Sequence, residues 1–394
     1  MAIVSSYSDS CGNAYFTKFL IESIAKKGID VVCEEVDLKL TQSIYGKVRK
    51  IADKHIIEIA RKLREYDFVN IQLEAGLYGT IPSDIIRRIK ILVNSNPNLS
   101  VTLHSPRLIA DASAQREALK LFFQGKIKNA LGFYLFYKQK NVHIDINQKI
   151  IKMLCERKVK LIVHTLRAKE QINHIFDYKN VVVHPLQLVS DNFLYSSADL
   201  DYIKKINNLS PTDVVIGIFG FVNEYKGHTL AIQALKLLPS NYKLMIFGRQ
   251  HPQTLVPDQL CHPYLSQLQS LIDKEKLRDR VFFMGEYDTP RFLNFAASVD
   301  VCWLPYVENG QDGSGIASIC LSVGKRVLCS SSFAFDELFR LVNFPNVCRF
   351  DIGNSIELAQ KTKMMLSENY ALDKRSQSVF TPDTQASAYI EGFD

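Results

Sequence analysis

Residues Val214 to Ala234 read VVIGIFGFVNEYKGHTLAIQA. The run Val214–Phe221 is apolar, short and β-branched, which fits a buried strand. Gly220 closes it, Lys226-Gly227 follows, and His228–Leu238 has the spacing of an amphipathic helix. A strand, a glycine, a lysine and a helix start make a site for an anion. The first N–H groups of a helix lack partners and carry partial positive charge, and the lysine adds a full one. A second stretch of similar build, Asp312-Gly313-Ser314-Gly315-Ile316, comes after the apolar segment Val301–Pro305. Its glycines free backbone N–H groups and Ser314 can add a hydroxyl. Each stretch alone also fits an ordinary turn or a serine N-cap. Two in one half of the chain, each after a strand, strengthen the case for a phosphate-bearing ligand.

The surroundings of these stretches set the scale. At 394 residues the chain exceeds one typical core, so two domains are expected. Net charge is +7, with 47% hydrophobic and 23% charged residues. That is the profile of a globular protein with an anionic ligand or an anionic membrane surface to meet, not of a dedicated nucleic-acid binder. No apolar run reaches the length of a spanning helix, and the N-terminus lacks the features of a signal peptide, so a cytoplasmic location is expected. The eight cysteines form no CxxC pair and read as reduced thiols.

Strands and helices alternate along both halves, as a parallel sheet with helices on both faces requires. In the first half, Ala2–Ser5, Phe68–Gln72, Ser100–Leu103, Leu131–Tyr137 and Lys160–His164 read as strands. Residues 186–213 are polar and poorly periodic. The expected organisation is a first domain over 1–190, a connection over 191–212, a second domain over 213–375, and a tail over 376–394 that packs back on the first domain. Both domains read as doubly wound α/β, whose ligands bind outside the carboxyl ends of the strands.

From Gly217 to Ser367 the chain resembles the nucleotide-binding half of the retaining GT-B glycosyltransferases, the group that includes glycosyltransferase family 4. The family's G-R-L-x-x-x-K-G is matched by Gly220-Phe221-Val222-Asn223-Glu224-Tyr225-Lys226-Gly227. Ala231–Leu238, Met245–Gly248, Leu277–Gly285 and Ala297–Pro305 match its next four segments in order. In the first half, Cys11–Tyr15 resembles the family's glycine-bearing loop, and Val101–His104 its strand ending in T-x-H. Two departures stand out. Phe221 replaces the arginine that would share the diphosphate with the lysine. In the motif with two glutamates eight positions apart, Asp312 and Cys320 stand in their places.

The resemblance implies α/β domains of the GT-B type, two Rossmann-like domains facing a central cleft. It implies transfer of a sugar from a UDP- or GDP-linked donor, with retention and without a metal or other cofactor. Catalytic roles would fall to His104, Lys226 and Glu74. Donor contacts would come from Gly220, Lys226, Gly227, Arg249, Gly285, Glu286, Tyr287, Asp312, Gly313, Ser314, Gly315 and Ile316. Gly12 and Asn13 would lie on the acceptor side. The implied partners are the nucleotide sugar and a glycan or lipid-linked acceptor, with peripheral contact at the inner face of a membrane and no nucleic acid. The basic, aromatic stretch Lys126–Lys140 (KIKNALGFYLFYKQK) reads either as that contact or as a buried strand with basic flanks. Asp199-Leu200-Asp201 has the form of a metal-binding DxD but fits helix capping better. Two rival readings stay open: a GT-B-fold partner subunit without catalysis, and a nucleotide-sugar epimerase.

Overall fold

The computed structural model describes residues 1–8, 11–109, 113–250, 263–307, 313–336, 346–367 and 380–391. The chain divides into two compact units: residues 1–185 with 382–394, and residues 186–381.

The first unit holds six strands: β1 (Ala2–Ser5), β2 (Val32–Glu35), β3 (Val69–Leu73), β4 (Leu99–Leu103), β5 (Lys160–Val163) and β6 (Val181–Val183). They pair in parallel in the order β2-β1-β3-β4-β5-β6. Strand order reverses between β1 and β3, the switch point at which doubly wound sheets bind ligands. The apolar faces of β1, β3, β4 and β5 pack against helices to form one core. Four further helices matter below: α1 (Gly12–Ala25), α2 (Ser113–Phe123), α3 (Ile127–Lys140) and α4 (Val142–Glu156).

Leu131–Tyr137, expected as a strand, lies inside α3. Its aromatic run satisfies strand propensity, but β4 pairs directly with β5, so no slot is left between them for another strand. Together α2 and α3 form a helical hairpin turned at Gly125, whose φ of 75° suits glycine.

The second unit holds β7 (Val214–Phe219), β8 (Tyr242–Phe247), β9 (Val281–Gly285), β10 (Val301–Leu304), β11 (Val327–Ser330) and β12 (Val347–Phe350). These too are parallel, in the order β12-β11-β10-β7-β8-β9. Renumbered from β7, that is the 3-2-1-4-5-6 order of dinucleotide-binding sheets, with its switch point between β7 and β10. Helices α5 (His228–Lys236) and α6 (Gly315–Val323) start close to those two strands. Trp303, fully buried, anchors the core of this unit and donates its indole N–H to Thr362 at 3.0 Å. The final described helix, α7 (Pro382–Ile390), returns to the first unit and packs on α1.

Candidate functional site

The loop after β7 and the start of α6, the described parts of the two glycine-bearing stretches, meet at the β7/β10 switch point. Gly220 follows β7, and its φ of 91° is left-handed. A Cβ there would press on Ile316 at 2.9 Å. A single 3-10 turn, Glu224–Lys226, then brings the chain to Gly227, also left-handed at 74°. A Cβ on Gly227 would sit 1.8 Å from the Pro305 carbonyl oxygen, so glycine is obligatory where the β7 loop lies on the β10 exit.

That close approach buries Lys226. Its side chain is 3% exposed, and its Nζ donates to the Tyr306 hydroxyl and lies 4.4 Å from the centre of that ring. The Tyr306 hydroxyl in turn bonds Ser314 Oγ at 2.8 Å. Ser314 caps α6 by accepting from Ala317 N–H at 3.2 Å. The N–H groups of Gly315 and Ile316, at the first helical positions, lack intrahelical acceptors. A lysine, two hydroxyls and a helix start thus converge on one point.

The electrostatics follow from burial. Desolvation pushes the Lys226 ammonium from its ordinary value down to about 7, against a smaller opposing influence from Cys320. Burial likewise raises the Tyr306 phenol well above its usual value. An anion arriving here would restore the full positive charge of Lys226, because opposite charge favours the ionised form.

The other expected donor residues lie along the same carboxyl edge. Gly248 follows β8, and a Cβ there would meet the Gly220 carbonyl oxygen at 2.0 Å. Arg249 follows it, pairs with Glu286 at 3.0 Å and sets its guanidinium 6.0 Å from the Phe221 ring. Gly285, Glu286 and Tyr287 leave β9, and Tyr287 packs edge-on against Phe295. Asp312 lies outside the described residues. Cys320 is fully buried in α6 and faces the core. Tyr306 was not among the expected site residues. Its signal was a polar-tipped aromatic directly after Pro305, at the end of a buried strand and ahead of the glycine loop.

In the first unit, Gly12 and Asn13 open α1 after β1, with Cys11 at the cap. Glu74 follows β3 and lines a cavity of about 10 Å³ with Asn147, Ile150 and Ile151 from α4. Burial raises its carboxyl above the usual range, opposed by a hydrogen bond from Ser105 and by Arg107. Such a cavity admits roughly one water and no sugar.

His104 follows β4 and heads a buried chain of polar groups. Gln72 donates its Nε2 to Asn70 Oδ1 at 2.6 Å, leaving its Oε1 for His104 Nε2 at 2.7 Å. His104 Nδ1 meets His164 Nε2 at 3.2 Å, and His164 Nδ1 meets the His184 carbonyl oxygen at 3.0 Å. His184 Nε2 continues to Thr384 Oγ1 at 2.9 Å, and Tyr389 bonds Thr102 at 3.1 Å, both from α7. Phe16 stands edge-on to His104 and His164. Burial, and after it the neighbouring His164, lowers His104 well below the ordinary histidine value. Burial brings His164 and His184 to about 4. With Gln72 so placed, His104 carries its proton on Nε2 and accepts at Nδ1. His164 then faces an acceptor at each nitrogen, so a proton reaching it would be hydrogen-bonded on both sides.

Asp199 and Asp201 sit in the first turn of the helix Ala198–Ile206. Asp201 accepts from the Ser197 hydroxyl at 2.9 Å and Asp199 from the Asn294 amide at 3.1 Å, so both are engaged by neighbouring side chains, and the helix has no side-chain cap hydrogen bond. Among the described residues no cluster of three His, Cys, Asp or Glu is placed to hold a metal ion.

Comparison with known proteins bears on both units. The family model described as glycosyl transferases group 1 matches residues 200–376, most of the second unit. No curated protein sequence matches the chain. Among solved structures, sucrose-phosphate synthase from Thermosynechococcus elongatus is similar at a TM-score of 0.65 and 14% identity, over 98% of this chain and 93% of that one. HepE from Anabaena, in complex with UDP and glucose, gives 0.62 and 14%, over 98% and 94%. WaaG, a glycosyltransferase involved in lipopolysaccharide biosynthesis, gives 0.56 and 12%, with each chain covered in full. The fold is therefore GT-B: two doubly wound, Rossmann-like units.

Proposed function

We propose that the chain is a glycosyltransferase that moves a sugar from a nucleoside-diphosphate donor to a glycan or lipid-linked acceptor. The observation that carries this reading is the Lys226–Tyr306–Ser314 cluster at the start of α6, at the switch point of a 3-2-1-4-5-6 sheet. The group 1 family match over the same residues supports it.

The leaving group of such a donor is a diphosphate, and stabilising its growing charge is the main demand of the step. Lys226 Nζ meets one phosphate oxygen. The N–H groups of Gly315 and Ile316 meet another, with Ser314 Oγ beside them. The charge is met by these groups, so no metal is called on. Gly220 lets the diphosphate approach the backbone. Arg249, paired with Glu286 and 6.0 Å from the Phe221 ring, supplies charge near the position where the resembled family carries arginine. Glu286 and Tyr287 border the base. On the acceptor side, neutral His104 orients the sugar or the incoming hydroxyl, with Gly12 and Asn13 beside the β1/β3 switch point. Glu74 is left out of this chemistry because its cavity is too small for a sugar. Retention of anomeric configuration rests on the motif resemblance.

The test is turnover with a panel of UDP- and GDP-sugars, with and without candidate acceptors. A glycosyltransferase releases nucleoside diphosphate faster when its acceptor is present, and the product's anomeric signal by NMR reports retention. An epimerase converts the nucleotide sugar to its epimer without any acceptor. A noncatalytic partner subunit releases none, and that outcome removes the proposal.

A further inference from the structure

The hairpin of α2 and α3 leaves its apolar residues uncovered. Along α2, Leu119, Phe122 and Phe123 are 52%, 58% and 84% exposed and stand at i, i+3 and i+4. Along α3, Ile127, Leu131, Tyr134 and Leu135 are 64%, 56%, 43% and 58% exposed and stand at i, i+4, i+7 and i+8. α2 therefore shows one outward apolar stripe, and α3 shows one with Phe133, 42% exposed, lying outside it. Among the hairpin's described side chains the buried ones are small, Ala118 and Ala130. Lys120 borders the first stripe and Lys128 the second, with Lys126 at the turn. Over residues 113–140 the chain carries six basic residues and one acidic, a net charge of +5.

We infer that the α2–α3 hairpin is a docking surface for an anionic lipid bilayer. The inference rests on the proposed transfer to a lipid-linked acceptor and names the face of the first unit that would meet the membrane. Apolar stripes bordered by lysine are what an interfacial helix needs: the stripe enters the acyl boundary while the lysines reach lipid phosphates. A second copy of this chain fits worse, because self-docking would press two faces of charge +5 together. No helix of the described residues is long and apolar enough to cross a membrane, so the contact is one of lying on the surface.

The full chain should be sedimented with phosphatidylcholine vesicles prepared with and without phosphatidylglycerol. The wild type is expected to pellet with the anionic vesicles and to be released by salt. The triple variant Phe122→Ser, Phe123→Ser, Leu131→Ser should partition at least ~10-fold more weakly, and so should Lys120→Glu with Lys126→Glu and Lys128→Glu. All six positions are surface sites of the hairpin, and melting curves with and without UDP or GDP report folding and nucleotide binding separately. Failure of the wild type to pellet with anionic vesicles overturns the inference. So does equal binding by the variants, or a concentration-dependent dimer that the apolar variant abolishes while vesicles are ignored. Vesicle binding without any response to UDP or GDP would leave the surface standing and remove the catalytic reading instead.

Discussion

At the scale of single residues, Lys226 concentrates the argument. A charge-assisted phosphate contact contributes roughly 1.5–3 kcal/mol. Lys226→Ala is therefore expected to weaken donor binding by at least ~10-fold, read by calorimetric titration. Because burial holds the free lysine near 7, the charge must be restored when the diphosphate arrives. Nucleotide binding at pH 8 should thus take up close to ~1 proton, seen as a dependence of the binding enthalpy on buffer ionisation. Lys226→Met should abolish that uptake. The sign of the linkage in the free protein is the opposite of an ion pair's. Unfolded lysine holds its proton up to about 10.4, so between about 7 and 10 the unfolded chain binds more protons and stability contributed by this site rises with pH.

His104 makes a different prediction. Held neutral by burial, it acts through hydrogen bonds rather than through charge. His104→Ala should lower kcat much more than it raises the Kd of the donor, and steady-state kinetics beside titration separate the two. Equal loss in both would place His104 on the donor instead. The buried histidines also bear on acid stability. Their folded values near 4 lie below the unfolded 6.5, so stability present above pH 6.5 is lost as the pH falls toward 4.

At the scale of elements, the loop after β7 is held by its glycines. Gly227→Ala combines a left-handed backbone with a Cβ placed 1.8 Å from the Pro305 oxygen. It is expected to destabilise by at least about 2 kcal/mol, read by denaturant titration, and to displace Lys226 with it. This loop was legible in the sequence because each of its parts is local: an apolar run, a glycine, a lysine, a helix start. The Lys226–Tyr306 contact was not, since eighty positions separate its partners and only strand order brings them together. The same limit hid the His104–His164–His184 chain, whose links span the exits of β4, β5 and β6. Leu131–Tyr137 misled for another reason. Five aromatic or leucine residues in a row, Phe133–Tyr137, satisfy strand propensity, while the outward stripe at 127, 131, 134 and 135 becomes visible only at helical spacing.

At the scale of the molecule, two sheets of six parallel strands each present a switch point at their carboxyl ends. The second binds the donor in the proposed scheme, and the first offers Gly12, Asn13 and His104 for the acceptor. The C-terminal helix α7 ties the chain's end to the first unit, where Thr384 and Tyr389 close the polar chain behind His104. Alternating strands and helices made the two-sheet architecture readable from the sequence. Which helices lay open to solvent depended on packing that no local pattern records.

In the proposed scheme the edge formed by Lys226, Tyr306 and Ser314 binds a nucleoside diphosphate. Calorimetric titration of the full chain with UDP and with GDP, beside the Lys226→Ala variant, tests it most directly. Saturable binding of at least one of the two is expected, weakened at least ~10-fold in the variant. No binding of either nucleotide, or equal affinity in the variant, would contradict it.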